Sequence, residues 1–218
     1  MKLYVSNKAE TPRMFESDFM EFFSRVHWTV PLIMFLPIIT VMMYAAVSVY
    51  SLGAGAVLVY YALGLFVWTF TEYTLHRFFF HYEPKTEWGR KIHWTFHGVH
   101  HDYPSDPLRL VMVPAVSLPL AALFFLLFTA LMGTHLVMAF MPGFLTGYLF
   151  YDTSHYAVHH FPIKGRIFGA MREHHLRHHF KDPDRGYGVS SALWDYVFRT
   201  QFLKVGDTEQ SSRAAGTS

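Results

Sequence analysis

Two long stretches of the chain lack all four charged residue types, Asp, Glu, Lys and Arg. The first covers residues 26–71, which is 46 positions, and the second covers residues 110–151, which is 42 positions. Because a helix of about 20 apolar residues crosses a bilayer, each stretch is too long for one span and suits two spans joined by a tight turn. The pattern predicts an all-α integral membrane protein with four transmembrane helices in two hairpins, plus a helical cap outside the bilayer.

Glycine-containing turns divide both stretches. Ser51-Leu52-Gly53-Ala54-Gly55 follows the first run of about 20 apolar residues, and Gly133-Thr134 interrupts the second stretch. We therefore expect spans near residues 28–50, 55–74, 112–132 and 135–152. The second span is expected to continue as a helix out of the bilayer, to His81.

The polar segments set the domain organisation. We expect an N-terminal segment at 1–27, a membrane domain at 28–205 whose cap comes from 76–109 and 153–205, and a disordered tail at 206–218. In the N-terminal segment, Phe19, Phe22, Phe23 and Val26 recur at spacings of three and four, which is typical of an amphipathic helix lying on a membrane. An ordinary surface helix before the first span fits this spacing equally well.

Composition supports the membrane class and narrows the chemistry. Hydrophobic residues make up 52% of the chain and charged residues only 16%. The first apolar run begins only after Arg25, so no cleaved signal peptide is expected. The chain contains no cysteine, which excludes disulfides, iron–sulfur clusters and thiolate metal sites. Any bound metal must be held by nitrogen or oxygen.

The positive charges are confined to one side of the predicted hairpins. Of the 18 Lys and Arg residues, four precede the first hairpin, five lie between the hairpins and nine follow the second. Because positive charge is enriched on the cytosolic side of membrane proteins, this distribution predicts that both termini and the cap face the cytosol.

Histidines cluster on the same predicted side. The clusters are His76/His81, His97/His100/His101, His155/His159/His160 and His174/His175/His178/His179. Residues at i, i+3 and i+4 share a helix face, so the second cluster is expected to point into one cavity, as are His155 with His159 and His175 with His178 and His179. His76 and His81 are separated by about 140° on an ideal helix, so they either diverge or bracket a site at the helix end. His27, His93 and His135 are expected to be interfacial anchors.

Convergence of these clusters would require a ligand. Each buried, unsatisfied imidazole would cost about 1–3 kcal/mol, and ten of them would rival the whole stability of a domain, about 5–15 kcal/mol. Neutral imidazole is the commonest protein ligand for transition metals. Five histidines per ion leave one open position on an octahedral centre, so ten ligands imply two metal ions. Glu72 and Asp152 are expected to orient the rings from outside the ligand shell; pairing with Arg77 or Lys164 is the alternative.

The histidine spacing resembles a known superfamily. The series H-x4-H, H-x2-H-H, H-x3-H-H and H-x2-H-H resembles the fatty acid hydroxylase/sterol desaturase superfamily of integral-membrane dimetal oxygenases. The intervening sequence over residues 70–200 is most similar to that of the fatty acid 2-hydroxylases. The sequence segments that carry this similarity are Phe96-His97-Gly98-Val99-His100-His101-Asp102-Tyr103-Pro104, Arg109-Leu110-Val111, Tyr151-Asp152-Thr153-Ser154-His155-Tyr156, Tyr187-Gly188-Val189-Ser190-Ser191 and Trp194-Asp195.

The resemblance implies a cytosol-facing dimetal centre that uses O2 to hydroxylate a lipid acyl chain. The ligands carried over position by position are His76, His81, His97, His100, His101, His155, His159, His175, His178 and His179. His160 and His174 stand beside matching ligands. Residues 1–25 are too short for the cytochrome b5 domain fused to many eukaryotic relatives, so electrons are expected from a separate protein such as a cytochrome b5 or a ferredoxin.

The leading hypothesis is a membrane monooxygenase that hydroxylates fatty acyl chains at C2, with no nucleic-acid partner. Iron is expected to be the working metal because zinc does not change redox state, although a nitrogen site also binds zinc. A sterol or carotenoid hydroxylase or desaturase of the same superfamily is the enzyme alternative. A haem protein or a metal transporter is the non-enzyme alternative, but the predicted spans contain only His135 and no ionisable residue near the bilayer centre.

Overall fold

The computed structural model describes residues 3–202, and within this range the chain is helical and contains no β-strand. The predicted all-α class is therefore confirmed for the described residues, whereas the predicted disordered tail lies outside them. The helices are α1 (Asp18–Phe23), α2 (Thr29–Tyr44), α3 (Ala54–Leu75), α4 (Glu87–His93), α5 (Val99–Asp102), α6 (Pro114–His160), α7 (Phe168–Phe180) and α8 (Leu193–Val197).

Three helical stretches are long and apolar enough to cross a membrane. The first is Thr29–Val49, which consists of α2 and a following π-helical turn, Ala45–Val49. The second is Ala54–Phe80, in which a second π-helical turn, His76–Phe80, continues α3. The third is α6, which at 47 residues is more than twice the length that a span requires.

Gly133 interrupts α6. Its backbone has φ 78° and ψ 163°, a conformation that glycine adopts without a Cβ penalty. On either side of it, Phe124 contacts Phe144, and Phe128 contacts Phe140, with ring centroids 5.0 and 4.6 Å apart. In a straight helix the first pair would lie about 30 Å apart, because each residue adds about 1.5 Å. The two halves of α6 therefore lie side by side.

The turn after Tyr50 lies at the same end of the molecule as Gly133. Ser51 has a positive φ of 53°, and the Leu52 N–H donates to the Ala46 carbonyl. The Tyr50 ring packs against the His135 ring at 4.9 Å. Both chain reversals thus meet at one end of the helices, so the segments that carry the histidine clusters emerge at the other end.

Glycines allow α3 and α6 to pack backbone against backbone. A Cβ added to Gly64 would overlap the Phe140 carbonyl oxygen, and one added to Gly143 would overlap the Tyr61 carbonyl oxygen. Small residues commonly permit such close approach between membrane helices. The apolar core surrounds this contact between α3 and α6, and in it the Trp68 ring packs against the Phe144 ring with centroids 5.1 Å apart.

The N-terminal segment is fastened to the loop that precedes α6. The Val26 N–H donates to the Leu108 carbonyl at 2.7 Å, and Glu21 of α1 forms a buried ion pair with Arg109 at 2.6 Å. Phe19 and Phe22 remain 70% and 73% exposed. The short helix α1 thus has one polar, anchored face and one aromatic, outward face, whereas Val26, which follows α1, is buried.

Candidate metal centre

The ten histidines that the sequence singled out converge in two groups of five. In each group, one ring nitrogen from every member lies within 4.8 Å of the corresponding nitrogens of the others. The first group is His76, His81, His97, His101 and His178, and the second group is His100, His155, His159, His175 and His179. The groups adjoin, since the rings of His101 and His179 stack at 4.1 Å.

A π-helical turn brings the first two histidines together. The His81 N–H donates to the His76 carbonyl at 3.1 Å, which is the i→i+5 bond of a π-helix. This bond places residue i+5 over residue i, so the two rings approach to 5.0 Å between centroids. Of the two arrangements left open by the sequence, His76 and His81 adopt the convergent one.

Neighbouring histidines on α5 and α7 divide between the two groups. Members at i and i+4 share a group, as in His97/His101, His155/His159 and His175/His179, whereas the i+3 members His100 and His178 belong to the other group. The single cavity expected for the cluster at α5, and for that on α7, is therefore two adjacent subsites, whereas His155 and His159 share one subsite as expected. Each of α5 and α7 supplies both subsites, so the two groups are held at a fixed separation.

The remaining histidines make ordinary contacts. His160 stacks on Tyr156 at 4.3 Å, His174 contacts Asp195 at 3.2 Å, and His93 contacts the Phe80 carbonyl at 2.5 Å. His27 contacts the Thr29 hydroxyl, and His135 lies against Tyr50 at the far end of the molecule. None of these five belongs to either group of five.

Burial keeps the clustered rings neutral. Loss of water, followed by the repulsion of neighbouring rings, lowers the pKa of His97, His100 and His101 well below 6.5. The same causes lower the pKa of His175 and His179, and they lower the pKa of His81 to about 2. Neutral imidazole is the form that binds a metal ion.

Two backbone carbonyls orient rings of the first group. His76 Nδ1 contacts the Tyr187 carbonyl at 2.5 Å, and His178 Nδ1 contacts the Arg185 carbonyl at 2.8 Å. Since a carbonyl only accepts, each Nδ1 carries the proton and each Nε2 keeps a lone pair. Backbone acceptors have no sequence signature of their own, so no pattern in the sequence predicts this role.

Glu72 and Asp152 are buried near the histidines but bond other groups. Glu72 accepts the N–H groups of Val189 and Ser190 at 2.7 and 2.8 Å, and also the Ser190 hydroxyl. Asp152 accepts the Met112 N–H at 3.3 Å and the Tyr148 hydroxyl at 3.1 Å. Any orienting effect of these carboxylates on the rings thus passes through the backbone that they hold.

The donor sets fit metal ions. In the described part of the chain, at least one buried ring nitrogen has no hydrogen-bond partner in each of His76, His100, His155, His175 and His179. Three Nε2–Nε2 distances, between His97 and His101, His81 and His178, and His159 and His175, are 3.0, 3.0 and 2.9 Å. Adjacent ligands of an octahedral ion would be about 3.0 Å apart if each bond measured about 2.1 Å. A metal ion in each group would bind one ring nitrogen of each of its five histidines.

An apolar cavity of about 1270 Å³ reaches the histidines. His97, His100 and His155 are among the residues that line it, as are Val116, Leu120 and Phe124 of α6. This volume exceeds the range of about 300–1,000 Å³ that is usual for small-molecule pockets. A long apolar molecule fits this space better than a compact polar one.

Comparisons with known proteins agree with this geometry. The fatty acid hydroxylase family model matches residues 61–200. The dihydroceramide fatty acyl 2-hydroxylase FAH2 of Arabidopsis thaliana is 41% identical over 88% of this chain and 80% of its own length. The rat (Rattus norvegicus) fatty acid 2-hydroxylase is 32% identical over 89% of this chain and 58% of its own length.

A solved structure shares the fold. The full-length scs7p structure, in which only the hydroxylase domain is visible, superposes with a TM-score of 0.80 at 34% identity, covering 85% of this chain and 70% of that chain. The resemblance carried by the histidine series is thereby confirmed. From its family-model match, its relatives and its two groups of histidines, the chain belongs to the fatty acid hydroxylase family.

Proposed function

We propose that this protein is an O2-dependent membrane monooxygenase that hydroxylates fatty acyl chains at C2 in lipid biosynthesis. The observation that carries the proposal is the contact between a large apolar cavity and both histidine groups, at His97, His100 and His155. The 2-hydroxylase names of the relatives support C2, the carbon beside the carbonyl, as the position of hydroxylation.

The ten histidines are proposed as ligands of two metal ions, five for each ion. When bound, the metal pair supplies O2 binding and the redox chemistry needed to attack an unactivated C–H bond, which no side chain supplies alone. Iron suits this role and zinc does not, because zinc has a single accessible redox state. Nitrogen sites favour zinc over iron in intrinsic affinity, so zinc in a purified sample does not identify the working metal.

The cavity walls are proposed to bind the acyl chain and keep water from the reacting carbon. Val116, Leu120 and Phe124 offer apolar surface, and burial of each methylene contributes about 0.8 kcal/mol. Thr74 also lines the cavity, and its buried hydroxyl has no hydrogen-bond partner among the described residues. That hydroxyl is available to donate to the carbonyl of the acyl group.

In the membrane, the helices are proposed to form four spans in two hairpins, with residues 28–205 as one hydroxylase domain. The contact of Phe124 with Phe144 supports two antiparallel spans within α6, and the contact of Tyr50 with His135 supports placing both turns at one membrane face. In the sequence, all Lys and Arg residues lie outside residues 26–71 and 110–151, the two uncharged stretches that contain the hairpins. The metal centre and both termini are therefore proposed to face the cytosol.

Electrons are proposed to come from a separate protein such as a cytochrome b5 or a ferredoxin. Lys164, Arg166 and Lys181 are exposed near α7, which carries ligands of both groups. A basic surface so close to the centre suits an acidic electron-transfer partner, because charge complementarity speeds the encounter.

Lipid analysis tests the proposed function. Cells that express the chain are expected to accumulate 2-hydroxy fatty acids that are absent from non-expressing cells, and His100→Ala is expected to abolish them. His27→Ala is the matched control, since His27 lies outside both groups. A lipid profile without any new 2-hydroxy acid would contradict C2 hydroxylation. New hydroxylated or desaturated sterols or carotenoids would instead identify a sterol or carotenoid as the substrate.

A further inference from the structure

One short loop supplies both backbone acceptors to the first histidine group. Within residues 185–190, the Arg185 carbonyl contacts His178 Nδ1 and the Tyr187 carbonyl contacts His76 Nδ1. In the second group, by contrast, ring nitrogens of His155 and His179 have no hydrogen-bond partner within residues 3–202. The loop is therefore specific to the first group.

Two buried carboxylates hold this loop by four consecutive amides. Asp195 accepts the N–H groups of Tyr187 and Gly188 at 3.0 and 2.9 Å. Glu72 accepts those of Val189 and Ser190. Asp195 is 0% exposed, and besides the two loop amides its carboxylate accepts the Thr200 hydroxyl at 2.7 Å and contacts His174 at 3.2 Å. A carboxylate that accepts several hydrogen bonds fixes the backbone that donates them.

The peptide unit between Tyr187 and Gly188 is hydrogen-bonded at both its N–H and its carbonyl. Its N–H donates to Asp195 Oδ2, and its carbonyl, on the opposite edge, accepts from His76 Nδ1. Because a peptide unit is planar and its N–H and C=O are antiparallel, fixing the N–H also fixes the direction of the carbonyl. The negative charge beyond the N–H also polarises the unit and strengthens the carbonyl as an acceptor.

We infer that Asp195 is a positioning residue for the metal ion of the first group. It acts through the Tyr187–Gly188 peptide on His76, so that a carboxylate, a peptide unit and a histidine form one hydrogen-bonded relay to the metal. Such relays usually connect a carboxylate directly to a metal-bound histidine, where they fix the ring and raise its basicity. Here a backbone peptide is interposed between them.

This inference rests on the proposed metal centre and predicts an effect on one ion only. In Asp195→Asn, the side-chain amide replaces one acceptor oxygen with a donor, so Tyr187 or Gly188 loses its partner. The zinc affinity of the first group is expected to fall about 10- to 100-fold, as is usual when such outer partners are removed. The second group, which the loop does not touch, is expected to keep its affinity.

The experiment measures zinc content of the full chain, purified in detergent and dialysed against chelators of increasing strength. Wild type is expected to hold two zinc ions, and Asp195→Asn is expected to release one of them to a weaker chelator. Combining Asp195→Asn with His155→Ala, which disrupts the second group, should weaken both ions. Combining it with His97→Ala should give the same zinc content as His97→Ala alone.

Asp184→Asn is the matched control. It removes one negative charge beside the same loop, but Asp184 is exposed and does not accept the Tyr187 or Gly188 amide. It is expected to hold two ions with wild-type affinity.

The outcomes separate the inference from the proposed function. If wild type binds no zinc, the proposed metal centre fails. If wild type binds two ions and Asp195→Asn keeps both affinities, or loses both equally, the inference alone is overturned. If Asp195→Asn does not give a monodisperse protein, Glu72→Ala is measured instead, because Glu72 is the other carboxylate that holds the loop. Equal weakening of both ions in Glu72→Ala would also overturn the inference.

Discussion

His100 and His101 are adjacent in the sequence, yet their rings belong to different histidine groups, with centroids 5.9 Å apart and planes at 68°. The ring of His100 packs against His155 at 4.5 Å, whereas that of His101 packs against His97 at 4.7 Å. One turn of α5 therefore supplies both subsites. His178 and His179 divide in the same way on α7.

This division predicts that substitutions at neighbouring positions remove different metal ions. His101→Ala is expected to weaken the ion of the first group, and His100→Ala that of the second. Metal analysis of each purified variant should find about one ion instead of two, and the double variant should retain none. 2-Hydroxy acid production is expected to fall to background in all three. If both single variants lost the same ion, the assignment of ligands to groups would be wrong.

The close contact between α3 and α6 predicts a steric limit at Gly143. In Gly143→Ala, the new Cβ overlaps the Tyr61 carbonyl, so the two helices must move apart. Overpacking of this kind costs about 1–3 kcal/mol and should lower the thermal midpoint in detergent by roughly 2–12 °C. Gly55→Ala is the control, because a Cβ there meets no atom within 4 Å. Equal midpoints for the two variants would contradict the backbone contact.

The sequence predicted the parts of the centre that follow from helical spacing and charge. The gap in charge over residues 26–71 was long enough to indicate two spans, and the positions of His155 and His159 were enough to place them on one face. The interruption at Gly133 was also foreseeable, because glycine adopts a positive φ readily.

Other features depend on geometry that an ideal helix does not contain. The π-helical turn at His76–Phe80 reduces the angle around the helix axis between His76 and His81. No residue type in the sequence predicts such a turn. The separation of His100 from His97 requires the position of α6, which supplies His155. The role of the Tyr187 carbonyl cannot be predicted from the sequence, because every residue has a carbonyl. Only the folded loop places this one against His76 Nδ1.

The ion pair between Glu21 and Arg109 predicts a defined pH dependence. Burial alone would raise the pKa of Glu21, but hydrogen bonds from the Met14 and Phe15 amides and the Arg25 side chain, with the charge of Arg109, lower it to about 2. Since the folded-state pKa lies below the ordinary value of 4.5, the stabilisation is present above pH 4.5 and is lost as the pH falls through about 2.

Glu21→Gln is therefore expected to be less stable than wild type near neutral pH, because buried Arg109 loses its carboxylate partner at 2.6 Å and keeps only Asp106, at 3.7 Å. The difference between their thermal midpoints should be constant above pH 4.5 and should close toward pH 2. Asp18→Asn serves as the control, since its pair with Arg13 is exposed and contributes little. A difference that did not change with pH would show that the Glu21 charge has no such role.

The cavity predicts that its length limits the substrate. Leu120 of α6 lines the cavity. It lies six residues after Pro114, the first residue of α6, which is about 9 Å along the helix axis at about 1.5 Å per residue. Leu120→Trp is expected to fill that region and exclude long acyl chains, while shorter chains still reach His100. Mass spectrometry of the 2-hydroxy acids should then show a shift to shorter products with little loss of metal. Leu118→Trp is the matched control, because Leu118 is exposed on the same helix and does not line the cavity. If Leu120→Trp left the distribution of chain lengths unchanged while Leu118→Trp altered it, the acyl chain would have to bind elsewhere.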